Sequence, residues 1–208
     1  MKKHIIWAFA ILFAGNIQSQ NFVKLKSKKD YLVTISTQIG DVNLILFNET
    51  PLHKENFLKL TKAKFYDSTT FHRIIKNFMI QGGDPNSKDR DPNNDGMGGT
   101  KYTIPAEFNP KFTHNLGALS AARLGDEVNP KKESSGCQFY IVENAAGTHF
   151  LDNNYTVFGQ VINGIEVVQK IAEQPKDGRD RPTNSIFMKV TFKKMSKKKI
   201  AKKYNYKY

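Results

Sequence analysis

The sequence predicts a mainly β chain folded as an antiparallel barrel whose ends are covered by two α-helices. Three observations carry that expectation. Fifteen Phe and eight Tyr among 208 residues favour pleated, half-buried surfaces. Short alternating or β-branched runs recur from Tyr31 to Phe192, punctuated by Gly, Pro, Asn and Asp. Helical periodicity marks two separated stretches, one opening at Pro51 and one at Ile165, as expected of helices that cover a barrel. Apolar residues make up 39% of the chain, which suits one globular domain with a core of its own.

The chain opens with Lys2, Lys3 and His4, followed by an unbroken apolar run, Ile5–Ala14, and then by Gly15, Asn16 and Ser19. A basic start, a short apolar run and small residues read as a secretory signal peptide over residues 1–19, cleaved near Ser19. The run is too short for a bilayer span, which takes about 20 residues; an uncleaved membrane anchor is the minor alternative. Export places the protein in the periplasm or outside the cell. Residues 20–29 are polar and lysine-rich, a flexible lead-in to a domain over 30–195.

Tyr31–Thr37 and Val42–Phe47 read as a hairpin around Ile39-Gly40-Asp41. Thr50 and Pro51 suit the N-cap and first position of a helix, with Phe57, Leu60 and Ala63 toward the core and an end near Lys64. His53 shares that stripe, so packing is its first explanation. Thr70–Ile75 and Phe78–Gln81 form a strand pair ended by Gly82-Gly83-Asp84-Pro85. A long polar loop, 86–100, follows. Tyr102–Ala106, Gly117–Arg123, Gln138–Val142, Val157–Val161 and Ile186–Phe192 are further strands, and Ile165, Val168 and Ile171 mark the second helix.

The net charge of +13 is concentrated at the C-terminus. Residues 193–208 hold eight lysines and no acid, so without them and the two lysines of the signal the body carries about +3. Residues 196–208 are expected to be a disordered basic tail that can touch anionic surfaces; nucleic acid is not an expected partner.

Several motifs carry less than they offer. Asp91–Gly96 matches the first half of a calcium loop, but Tyr102 stands where the bidentate Glu belongs. The five histidines lack ligand spacing, so no metal and no cofactor are expected. Cys137, the lone cysteine, has no bridging partner and reads as a small buried hydrophobe. Asp126 and Glu127 read as solvated loop charges, and there is no nucleophile elbow.

Arg73 is the most informative residue. It sits in an apolar strand, FHRIIKNFMIQGGD at 71–84, where alternation groups it with Phe71 and Ile75. Such a charge needs solvent, a ligand or a partner. A structural ion pair, with Glu107 for instance, competes evenly with a functional role.

That stretch resembles the signature of the cyclophilin-type peptidyl-prolyl cis–trans isomerases. YTIPAEF (102–108), GALSAAR (117–123), SSGCQFYI (134–141) and HFLDNNYTVFGQV (149–161) extend the resemblance in order, from about Tyr31 to Met195. It implies a closed eight-stranded antiparallel barrel capped by two helices, and an isomerase acting on proline-containing polypeptides; nothing in the sequence suggests an obligate partner, so a monomer is expected. It also implies a catalytic role for Arg73 and substrate contacts for Phe78, Met79, Gln81, Ala122, Arg123, Gln138, Tyr140, Phe150, Leu151 and Tyr155. Three positions depart from the family pattern: Phe150 stands where many eukaryotic members carry Trp, Tyr155 where they have His, and Tyr140 where Phe is common. The first implies weak cyclosporin binding, and the last adds a hydroxyl that would narrow the pocket.

Overall fold

A computed structural model describes residues 27–89 and 91–208. The signal-peptide segment, its cleavage site and residues 20–26 lie outside the described residues.

The elements run β1 (Lys29–Thr37), β2 (Gly40–Leu46), α1 (Pro51–Lys62), β3 (Phe71–Ile75), β4 (Met79–Gly82), β5 (Thr103–Ile104), β6 (Ala118–Ala121), β7 (Ser134–Ser135), β8 (Phe139–Val142), β9 (Val157–Asn163), α2 (Ile165–Ala172), β10 (Met188–Ser196) and α3 (Lys197–Tyr204). Eight strands form one antiparallel sheet in the order β10-β1-β2-β9-β6-β8-β4-β3, and β5 pairs with β7 apart from it. The two outer strands meet where Thr70 bridges Phe187. Backbone bonds from Ser68 to Met188 (3.0 Å), Met188 to Thr69 (2.8 Å) and Phe71 to Ile186 (3.0 Å) complete that seam. The barrel interior is aliphatic and aromatic, with Ile35, Leu44, Phe71, Ile80, Phe139, Ile141 and Phe158 all buried. Phe57 of α1 seals one side against Tyr66, Phe139 and Phe158, at centroid distances of 4.9, 5.5 and 5.8 Å. Val168 and Ile171 of α2 add to the same core.

The N-terminus of α1 is capped from a distance. Thr50 makes no side-chain cap. The Glu107 carboxylate instead accepts the N–H groups of Leu52 and His53, both at 3.0 Å, and lies 2.7 Å from His53 Nδ1. An anion at the positive helix end suits the macrodipole and uses two N–H groups that the helix leaves unpaired. It also removes Glu107 as a partner for Arg73. Ala63 does not face the core; it is exposed beyond the last turn, as the C-cap. Buried Lys54 instead ties α1 to the barrel, donating to Asp30 Oδ1, Leu46 O and Asn48 Oδ1 at 2.8, 2.9 and 2.9 Å.

The C-terminus corrects the expectation of a disordered tail. β10 pairs with β1 through Lys29↔Ser196, and residues 197–204 continue as α3, so three helices accompany the sheet. Lysines crowd the first turn of α3, against the dipole. Two features offset them. The Ser196 hydroxyl caps Lys199 N–H at 3.2 Å, and Ile200, fully buried, packs with Leu32, Ile45, Tyr204 and Tyr206. Tail composition hides this apolar contact, which burial of one Ile side chain stabilises by about 1.5–3 kcal/mol.

Candidate active site

The outer face of β3, β4, β8 and β6 carries a second apolar cluster, built on Met79, Tyr140, Val142 and Val157. A concave pocket of about 240 Å³ opens above it. Nine of the eleven residues expected at a site line it: Arg73, Phe78, Met79, Gln81, Ala122, Arg123, Tyr140, Leu151 and Tyr155. β3 and β4 supply one wall, the segment after β6 a second, and the 3₁₀ turn His149–Leu151 a third.

A bulge aims Arg73 at this pocket. Phe71 pairs with Gly82 and Arg73 with Gln81, so the ladder slips at His72. An extra residue resets alternation and turns the neighbouring side chains. Phe71 therefore does not share a face with Arg73; it joins Ile74 in the barrel core, while Arg73 is half-buried at the pocket. The Arg73 guanidinium makes no ion pair among the described residues, and Nη1 reaches Gln81 Oε1 only at 3.5 Å. Its donors remain largely free in a site with apolar walls.

Gln138 and Phe150 are not in the pocket lining. Gln138 is buried behind Gln81 and accepts its Nε2–H at 3.0 Å. It donates in turn to the carbonyls of Gly96 and Gly98 at 2.9 and 2.7 Å. The same loop is held from its other side by Asp84, whose Oδ2 accepts the N–H groups of Gly96 and Gly98 (the latter at 3.1 Å) and whose Oδ1 accepts Asn86 N–H at 2.8 Å. A Cβ on Gly98 would stand 2.0 Å from Asp84 Oδ1, so that position requires glycine. Phe150 is 72% exposed and stacks on Phe78 with centroids 5.8 Å apart, so it forms the rim.

Ala122 and Arg123 divide the work expected of them. The Ala122 N–H donates to Gln138 O (3.0 Å), and its carbonyl accepts Ser135 N–H (2.8 Å). Its backbone is thus engaged within the fold. Among the described residues the Arg123 backbone N–H and C=O make no such bonds and present an open edge. The Arg123 side chain braces the rim: Nε donates to Asn154 O (2.7 Å), Nη1 meets Asp126 Oδ1 (2.5 Å), and the guanidinium lies 4.4 Å from the Tyr155 ring centroid. Asp126 is therefore an ion-pair partner as well as a solvated loop charge.

Tyr140 does not bring a free hydroxyl to the pocket. Its OH lies 2.9 Å from His114 Nε2, and His114 Nδ1 lies 2.7 Å from Asp152 Oδ1. Burial lowers the pKa of His114 and outweighs the opposing hydrogen bond and charge of Asp152. The neutral ring with its proton on Nδ1 satisfies all three groups: Nδ1–H donates to Asp152, and Nε2 accepts from Tyr140. Burial also pushes the Tyr140 phenol well above its usual value. Burial pushes the Asp152 carboxyl up, but bonds from His114 and His149 more than reverse this, and the net shift is downward. The sequence reading did not find His114 or Asp152. The signal was Tyr140 itself, since a buried phenol needs a partner.

Cys137 is buried, and burial raises its thiol to about 11, outside the range of a reactive thiolate.

A family model described as "Cyclophilin type peptidyl-prolyl cis-trans isomerase/CLD" matches residues 32–191. The peptidyl-prolyl cis–trans isomerase-like 3 of Dictyostelium discoideum is 41% identical over 163 residues, covering 76% of this chain and 91% of the relative. The isomerase-like 1 protein of Neurospora crassa is 38% identical over 156 residues, covering 74% and 88%. Among solved structures, a cyclophilin-type isomerase of Cryptosporidium parvum superposes with a TM-score of 0.69 at 30% identity, covering 79% of this chain and 98% of that one. The same protein solved in the presence of the dipeptide Ala-Pro gives 0.68, also at 30% identity, covering 78% and 98%.

Proposed function

This chain belongs to the cyclophilin family and is a peptidyl-prolyl cis–trans isomerase, and from that premise we propose that it acts on exported polypeptides, accelerating X–Pro rotation and so assisting their folding. The supporting observation is the N-terminal segment: two lysines, the apolar run Ile5–Ala14 and small residues up to Ser19. The test is fractionation of cells expressing the full chain, with N-terminal sequencing of the product. The reading expects an exported protein that begins near residue 20 and is retained in the cytoplasm when residues 2–14 are deleted. A cytoplasmic wild-type protein with its N-terminus intact overturns it.

We assign the residues as follows. Rotation about X–Pro faces a barrier of about 20 kcal/mol set by amide resonance. A catalyst of this step binds the twisted amide better than either planar isomer. Twisting localises a lone pair on the prolyl nitrogen, which a guanidinium can stabilise. Arg73 has donors free for it, because among the described residues its side chain makes only the long contact to Gln81. Phe78, Met79, Tyr140 and Leu151 hold the proline ring against the apolar floor, with Tyr155 and Phe150 at the margin. The open backbone edge of Arg123 and the Gln81 amide anchor the peptide on either side. Gln138 positions Gln81, and Ala122 shapes the wall. Rotation consumes no proton and needs no nucleophile.

The folded C-terminus favours a second contact. Lys29, Lys193, Lys194 and Lys199 line one groove of about 350 Å³, and Lys198, Lys202 and Lys203 are exposed on α3. This fixed basic surface suits an anionic one. Binding to anionic vesicles that weakens with salt and on reversal of Lys198 and Lys202 to Glu supports it; salt-independent binding, or none, contradicts it.

A further inference from the structure

A second cavity, of about 360 Å³, adjoins the prolyl pocket and shares Arg73 and Gln81 with it. Its other walls come from the loop after β4, through Asp95, Gly96 and Met97, and from the connection between α2 and β10, through Arg179 and Arg181. His72 forms the floor.

The charges here are unevenly matched. Arg181 Nε is paired with the nearly buried carboxylate of Asp95. Arg179 Nη2 donates to Asn93 Oδ1 at 3.2 Å, and among the described residues it meets no carboxylate. Arg73 meets none either. Asp84 stands behind the loop with its oxygens occupied by the N–H groups of Asn86, Gly96 and Gly98. The cavity therefore faces a bound chain with two guanidiniums that form no ion pair among the described residues. Their placement is built in, because Asp177 Oδ1 accepts the backbone N–H groups of Arg179 and Arg181 at 2.8 and 3.0 Å and fixes the turn that carries both.

His72 supplies an independent observation. It is 5% exposed, and both ring nitrogens are buried without a hydrogen-bond partner. A buried imidazole left in that state is costly, and its ring backs the cavity in which the two guanidiniums stand.

We propose that this cavity is a subsite for an acidic side chain of the substrate, one or two residues from the proline, held between Arg179 and Arg73 above His72. A carboxylate there gains two charge-assisted partners. A lysine at the same position meets two guanidiniums of like charge. The subsite rests on the isomerase reading of the adjoining pocket, and it makes the enzyme selective for acidic segments around X–Pro bonds.

The test is a set of peptides with one X–Pro bond, carrying Glu, Gln or Lys in turn at each of the two positions before and after the proline. The kcat/KM of each is measured by two-dimensional NMR exchange. At one position the Glu peptide should exceed the Gln peptide by about 5- to 10-fold, the scale of one or two partly exposed ion pairs, with Lys below Gln. The Glu-to-Gln ratio should shrink as salt is raised, as for any partly exposed pair, and fall toward the share left to Arg73 in Arg179→Gln. Equal rates for Glu and Gln at every position, with the peptides turned over, overturn the subsite alone. A ratio unchanged in Arg179→Gln also overturns it. Turnover of none of the peptides overturns the isomerase reading beneath it.

Discussion

The Tyr140 hydroxyl lies 2.9 Å from Nε2 of His114, whose Nδ1 lies 2.7 Å from Asp152. A pocket wall is thereby fixed from behind by a buried polar chain that ends at the 3₁₀ turn carrying Phe150 and Leu151. Tyr140→Phe keeps the ring and strands the imidazole nitrogen. It is expected to lower the free energy of unfolding by about 1–3 kcal/mol, the cost of one unsatisfied buried group. Urea unfolding checks it, and an unchanged midpoint contradicts the linkage.

Histidine burial sets a pH dependence. Burial lowers the pKa of His53, His72 and His114; hydrogen bonds to Glu107 and Asp152 oppose the shift in His53 and His114 without cancelling it. The unfolded chain therefore binds more protons than the folded chain once pH falls below the ordinary imidazole value of about 6.5. Stability is full above that value and falls as the solution is acidified, by up to about 1.4 kcal/mol per pH unit for each histidine until its folded-state pKa is passed. Unfolding free energies should be level from about pH 7.5 to about pH 6.5 and decline from there to about pH 5.5. A flat profile contradicts the neutral, buried state of these rings.

Docking of α3 is tested at Ile200, which has no exposed surface. Ile200→Ala should cost about 3 kcal/mol, or roughly 6–12 °C in Tm for a domain of this size. A Tm equal to wild type would mean that α3 adds nothing to the fold.

In the proposed mechanism Gln138 positions Gln81, which it contacts at 3.0 Å. Gln138→Glu loses the two bonds to the Gly96 and Gly98 carbonyls while keeping the acceptor for Gln81. Loss of one or two such bonds is worth about 1–2 kcal/mol, so kcat/KM should fall roughly 5- to 30-fold. Measurement beside circular dichroism separates this from unfolding; an unchanged kcat/KM contradicts the positioning role.

The sequence carried the barrel because alternation and helical period are local signals. Most of the pocket followed from ordered motifs. What it did not carry depends on register or on distant pairing. The bulge at His72 is a property of two strands and moved Phe71 to the other face. The Glu107 cap joins α1 to a residue 54 or 55 positions away. The disorder expected of the tail came from its lysine content, although Ile200 and Tyr204 are spaced i, i+4, as an apolar helix stripe requires.

Arg73, aimed by the bulge and without an ion pair among the described residues, is the proposed stabiliser of the twisted amide. The most direct measurement is kcat/KM for an X–Pro peptide with wild type and Arg73→Ala, both shown to be folded by their near-ultraviolet circular dichroism. Loss of a preorganised donor predicts a fall of about 10²- to 10³-fold, mainly in kcat. An Arg73→Ala enzyme that retains wild-type kcat would contradict the account.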